Sequence, residues 1–183
     1  MKELSLNILD IAENSVKAGA KLTEILICEE GDMLTITIRD NGCGMDEQTV
    51  ISAQQPFYTT RTTRSVGMGI PLFKMQAEQT GGSLSLSSKP QKEFPNEHGT
   101  VISASFYKNH IDYTPLGDVV ASVTTLIQGH PDIDFVFSHK TQKGEVMLDT
   151  RQLRQVLSGV SLGEFEVIKW IEEYLKEQYS ENH

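Results

Sequence analysis

At 183 residues, with 38% hydrophobic and 22% charged residues and no long polar tract or tandem repeat, the chain has room for one ordinary domain and an appended module. Its 16 Lys and Arg against 25 Asp and Glu leave a formal net charge of −9, shared by both halves, which excludes the basic surface of a nucleic-acid binder. Two cysteines without a CxxC or Cys/His cluster, no signal peptide and no apolar run of membrane length point to a reducing cytoplasm and away from a membrane span.

Residues 3–18 carry a helical period: Leu4, Ile8, Ile11, Ala12 and Ser15 share one face, Asn7, Asp10, Asn14 and Lys17 another, and Gly19 stops the helix. Strands over 22–28 and 33–39 follow, the second alternating Leu34, Ile36 and Ile38 with Thr35, Thr37 and Arg39. Glu30-Gly31-Asp32 joins them as a hairpin. Asp46 can cap a short helix to about Ala53. A Thr/Arg-rich loop over 57–66 then leads through Gly67 to a helix over 70–80, with Pro71 in its first turn.

Gly81-Gly82 opens a strand to Ser88; a polar loop with Pro90 and Pro95 and a strand over 100–107 come next. Helices covering one face of a mixed sheet account for this order. Beyond a boundary in 109–115, the remainder reads as a separate α-β-β-α unit: a helix over 116–128, strands over 134–138 and 145–149, and helical segments over 151–157 and 162–179. The last carries Leu162, Phe165, Ile168, Ile171 and Leu175 on one stripe, with Trp170 and Tyr174 off it.

The chain has no GxxxxGK[ST] phosphate loop, and neither Gly42-x-Gly44 nor Gly67-x-Gly69 has the third glycine of a dinucleotide fingerprint. It has four other pieces in order: Asp10-Ile-Ala-Glu13-Asn14 on a helix, Asp40-Asn-Gly-Cys-Gly44, Pro56-Phe-Tyr-Thr-Thr-Arg61 leading to Gly67-Met68-Gly69, and Gly99-Thr100 opening a strand. An amide oxygen such as that of Asn14 is a hard ligand suited to Mg²⁺. Asp10 lies one turn earlier on the same face, whereas Glu13 sits about 100° round the helix. Asn-Gly after a strand is also the signature of a tight hairpin turn, but the following MDEQTV reads as helix. A glycine pair just before a helix start lets backbone N–H groups face an anion. Cys43 is explained by the need for a small residue in a tight loop, with a redox switch as the alternative.

Together these pieces resemble the GHKL superfamily, which groups gyrase, histidine kinases and MutL. LDIAENSVKAGA is similar to its asparagine box and PFYTTR to the phenylalanine box of bacterial histidine kinases, over roughly residues 4–107. The resemblance implies an α/β (α+β) two-layer sandwich with a mixed sheet, the Bergerat-type ATP-binding fold, over residues 1–108. Residues 109–183 form a small C-terminal module that it does not reach. ATP and Mg²⁺ are the implied ligands. On that resemblance, Asn14 binds Mg²⁺ and Asp10 stands where several members carry a water-activating glutamate. Its carboxylate is one methylene shorter, so hydrolysis stays open. Asp40 accepts the adenine amino group, which favours ATP over GTP. Gly42, Gly44, Met45 and Thr100 surround the base, and Arg61, Arg64, Gly67, Met68 and Gly69 belong to the lid over the phosphates.

Only about a dozen residues precede Asn14, so the phosphoacceptor hairpin of a sensor kinase is not expected. Nor does His98, His110, His130, His139 or His183 lie in the helix such an acceptor needs. The first expectation is a cytoplasmic protein kinase of the histidine-kinase or anti-sigma type, transferring the γ-phosphoryl group to a partner protein. The alternatives are an ATP-sensing module and a slow ATPase that homodimerises on ATP.

Overall fold

The computed structural model describes residues 3–56 and 68–182. Its first helix, α1 (Leu4–Lys17), buries the apolar face and ends where Gly19 takes a φ of 77°. The hairpin of β1 (Leu22–Glu30) and β2 (Met33–Asp40) forms as its alternation requires, with Gly31 at φ 58° in the turn. Asp46 caps α2 (Glu47–Ala53) by accepting from the Thr49 amide at 2.7 Å. Then follow α3 (Gly69–Gln79), β3 (Ser83–Lys89) and β4 (Gly99–Tyr107).

The C-terminal elements keep the expected order: α4 (Val119–Gly129), β5 (Asp134–Lys140), β6 (Glu145–Asp149), then α5 (Thr150–Leu157) and α6 (Phe165–Asn182). Their strands do not make a separate sheet. β5 pairs in parallel with β1, giving one six-stranded sheet in the order β3-β4-β2-β1-β5-β6 whose other neighbours are antiparallel. The reason is the apolar face of β1: Ile25 and Ile27 continue sideways into Phe137 and its neighbours, so the extra strands lengthen one buried surface rather than start another.

α1, α3, α4 and α6 cover that face. The core is continuous, from Phe73 and Phe106 through Ile8, Ile25 and Ile36 to Phe135, Phe137, Ile171 and Leu175, all fully buried and each worth ~1.5–3 kcal/mol of transfer free energy. A half-buried polar cluster borders it. His139 donates from Nε2 to Glu29 at 2.9 Å and pairs through Nδ1 with the Tyr179 hydroxyl at 2.7 Å, while Lys108 bonds the second Glu29 oxygen at 2.6 Å. At the β6 edge, the Gln178 amide occupies both the N–H and the C=O of Met147, and Asn182 bonds the Glu145 carbonyl.

Two details depart from the sequence reading. Asn7, expected on the polar face of α1, is fully buried and neither amide atom has a partner among the described residues. The 115–116 backbone crosses the start of α1, its carbonyls accepting the amides of Leu4 and Ser5. Phe165 is 71% exposed because α6 begins at that residue; Val167 faces the core instead, and Leu162 is buried ahead of the helix.

Candidate functional site

α1, the β2 and β4 ends, α2 and the start of α3 enclose a cleft of about 740 Å³. Asn14, Asp40, Gly44, Met45, Gly69 and Thr100, separated by up to 86 positions in the sequence, all line it. Gly42 lies just behind, buried, and Met68 is the residue at the N-cap of α3. Arg61, Arg64 and Gly67, with the loop over 57–66, fall outside the described residues, as does His183.

Asp40 and Thr100 are cross-strand partners on β2 and β4, so the pleat aims both at the cleft floor. The Asp40 carboxylate is fixed at both oxygens: Oδ1 accepts from the Gly42 amide at 2.9 Å and Oδ2 from the Ser15 hydroxyl at 2.7 Å. A carboxylate oxygen has lone pairs to spare, so each remains an acceptor toward the cleft. Thr100 is buried and bonds Ser88 Oγ at 2.8 Å. Ser88 also accepts the Met45 amide at 2.8 Å and donates to the Gly99 carbonyl at 2.9 Å.

The glycine box is held against this floor. Cys43 donates its amide to the Ala18 carbonyl, its own carbonyl accepts from Gln91, and His98 Nδ1 donates to the Gly42 carbonyl at 2.5 Å. Gly44, at φ 69°, runs so close to β3 that a Cβ would fall 2.0 Å from the Lys89 carbonyl oxygen. No other residue type fits that approach. Asp46 sits at the rim, its carboxyl held below the usual aspartate range by hydrogen bonds from Thr49.

At the other end of the cleft, α3 begins at Gly69 with no side-chain cap, leaving the first-turn amides of Gly69 and Ile70 available to an anion. A Cβ on Gly69 would meet Asp10 Oδ2 at 2.3 Å and Asn14 Nδ2 at 3.8 Å. Asp10 therefore packs on the helix start rather than lining the cleft wall, and both it and Asn14 are solvent-exposed. Lys17 and Lys92 bring positive charge to the cleft of an acidic chain. Among the described residues no group of three His, Cys, Asp or Glu could hold a metal. A divalent ion here would rest on Asn14 and on oxygens of its ligand, the mode suited to Mg²⁺. Glu13 turns away and accepts from His130 Nε2 at 2.9 Å.

Ser15, Lys17, Ser88 and His98 escape the sequence reading as site residues. Ser15 left a trace, a hydroxyl on an otherwise apolar helix stripe, and Lys17 follows Asn14 by one turn. Ser88 and His98 have no local signal, because their partners Thr100 and Gly42 lie far from them along the chain.

The family described as histidine kinase-, DNA gyrase B- and HSP90-like ATPase matches residues 2–110. DNA mismatch repair protein MutL of Listeria monocytogenes is 28% identical over 188 aligned positions, covering 84% of this chain and 31% of that protein. The C4-dicarboxylate transport sensor protein DctB of Pseudomonas aeruginosa is 32% identical over 46% of this chain and 14% of its own length. Sensor histidine kinase CitA of Klebsiella pneumoniae is 35% identical over 43% and 15%. Among solved structures, the Aquifex aeolicus MutL ATPase domain complexed with ADP superposes with a TM-score of 0.54 at 14% identity, covering 86% of this chain and 70% of that one. The chain spans about a third of the length of the MutL proteins it matches. Among its described residues no helix is long and apolar enough to cross a membrane. The chain belongs to the histidine kinase-, DNA gyrase B- and HSP90-like ATPase family, whose ATP-binding fold it has.

Proposed function

We propose that this member of the ATPase family binds Mg·ATP in the α1–α3 cleft and hydrolyses it slowly, using the bound nucleotide to switch a partner surface. The observation that supports this most is the polarity of the cleft: acceptors Asp40 and Thr100 at the floor, and at the far end Asn14 and a helix start that no described side chain caps, with Asp10 packed behind it. A base with an exocyclic amino group suits the floor, and a polyphosphate suits the amides, Lys17 and Lys92. Asn14 would hold Mg²⁺, which neutralises phosphate charge when bound. Asp10, beside the start of α3, would orient and deprotonate the attacking water.

Calorimetric titration of ATP and GTP with and without Mg²⁺, with phosphate release followed in the same samples, tests the proposal. ATP is expected to bind in preference to GTP, Asp40→Asn to weaken ATP ~10–100-fold, as loss of a charge-assisted hydrogen bond does, and Asp10→Asn to abolish release. No ATP binding would sink it.

Phosphoryl transfer to a protein partner is the second reading, supported by the 32% and 35% identity to two sensor proteins over 46% and 43% of this chain. γ-Phosphate retained on protein rather than released to water would select it. Tight binding with neither outcome would select pure ATP sensing.

A further inference from the structure

The hydroxyl of Ser88 has three neighbours and one proton. The Gly99 carbonyl, 2.9 Å away, can only accept, so the proton goes there; the Met45 amide, 2.8 Å away, can only donate. One Ser88 lone pair remains, and it faces the Thr100 hydroxyl at 2.8 Å. Thr100 must therefore give its own proton to Ser88, away from the cleft. What it presents to the cleft is lone pairs alone, opposite a carboxylate whose two oxygens are already held by Ser15 and Gly42.

We infer that Ser88, which does not line the cleft, is a specificity-positioning residue: by taking up the Thr100 proton it makes the cleft floor acceptor-only, and so restricts the bound purine nucleotide to one with an amino group at its 6-position. The inference rests on the reading of Asp40 and Thr100 as the base-recognition floor. A free threonine hydroxyl can turn its proton to meet a 6-oxo group as readily as its lone pair meets a 6-amino group. Fixed by Ser88, it has only the second option, and a 6-oxo oxygen placed where the amino group would sit faces two acceptors and no donor.

Inosine triphosphate, which carries a 6-oxo group and lacks the 2-amino group of GTP, is the probe. Calorimetry measures the ATP-to-inosine-triphosphate affinity ratio in wild type, Ser88→Ala, Ser88→Thr and Thr100→Val, and in Ser88→Ala made on Thr100→Val. Ser88→Ala is expected to narrow the ratio by about tenfold, the worth of one hydrogen bond changing sign, while Ser88→Thr keeps the wild-type ratio. On the Thr100→Val background Ser88→Ala should leave the ratio where it is, because the effect acts through Thr100. If Ser88→Ala weakens both nucleotides equally, Ser88 merely braces the Met45 loop and the inference is overturned. If wild type itself binds the two alike and Asp40→Asn changes neither, the base-recognition reading has failed, and the inference with it.

Discussion

Gly69→Ala separates the packing of the site from its chemistry. The new methyl would lie 2.3 Å from Asp10 Oδ2 and 3.3 Å from its Cγ, with the Asn14 amide at a comfortable 3.8 Å. Among the described residues no backbone atom stands as near, and Asp10 is exposed, so the carboxylate can swing to another rotamer at ~0.5–1 kcal/mol. Alanine regains up to ~1 kcal/mol over glycine in a helix, less at this first position. The two nearly cancel, and the melting temperature is expected to move by no more than ~3 °C for a chain of this size. ATP affinity should change little, since the floor of the cleft is untouched. Turnover should not survive: a general base supplies ~10²–10⁴ in rate, and a carboxylate pushed about 1 Å or more off its position loses ~100-fold. Scanning calorimetry, ATP titration and a phosphate-release assay on the same preparation read all three quantities. Undiminished phosphate release would refute the assignment of Asp10, and a melting temperature lowered by 10 °C would refute the packing argument.

Gly44→Ala should behave oppositely. Its Cβ would strike the Lys89 carbonyl at 2.0 Å, backbone that the β3–β4 pairing holds, and the φ of 69° adds ~1–2 kcal/mol of strain, so urea unfolding is expected to show a loss of ~2–4 kcal/mol. Glu29→Gln tests the half-buried cluster by pH. Burial pushes the Glu29 carboxyl up, but hydrogen bonds from Lys108 and His139 outweigh it and hold the group below its ordinary 4.5. Its contribution is therefore fully present above pH 4.5 and lost as pH falls through the lower folded value. Urea midpoints of wild type and variant should differ at pH 7 and converge in acid; a gap that persists in acid would show that the charge is not what the cluster uses.

How much of this was legible beforehand depends on range. Elements defined within a dozen residues read well: the hairpin through Gly31, the Asp46 cap, and α1 with its stop at Gly19 follow from local sterics and periodicity. The cleft residues Asn14, Asp40, Gly44 and Thr100 were recognisable because their spacing matches a family pattern, not because their chemistry announces itself. Whatever depends on pairing over a distance stayed hidden. Nothing in Asp134–Lys140 says that it lies beside Leu22 rather than within a unit of its own, since a buried parallel strand reads the same in either setting. Ser88 looks like one more serine in a serine-rich strand until Met45, Gly99 and Thr100 converge on it. The burial of Asn7 is equally invisible, because an amide in a helical pattern reads as a polar-face residue.

The parallel pairing of β1 with β5 also sets a timetable. β1 acquires one neighbour, β2, as soon as the hairpin leaves the ribosome, but the strand that covers its other side is synthesised more than a hundred residues later. At ordinary elongation rates that interval is on the order of ten seconds. For that time the N–H and C=O groups along one side of an apolar strand stand open. A nascent chain paused before Asp134 is thus a four-stranded sheet with β1 as an open edge, and its safety during synthesis depends on how soon β5 arrives.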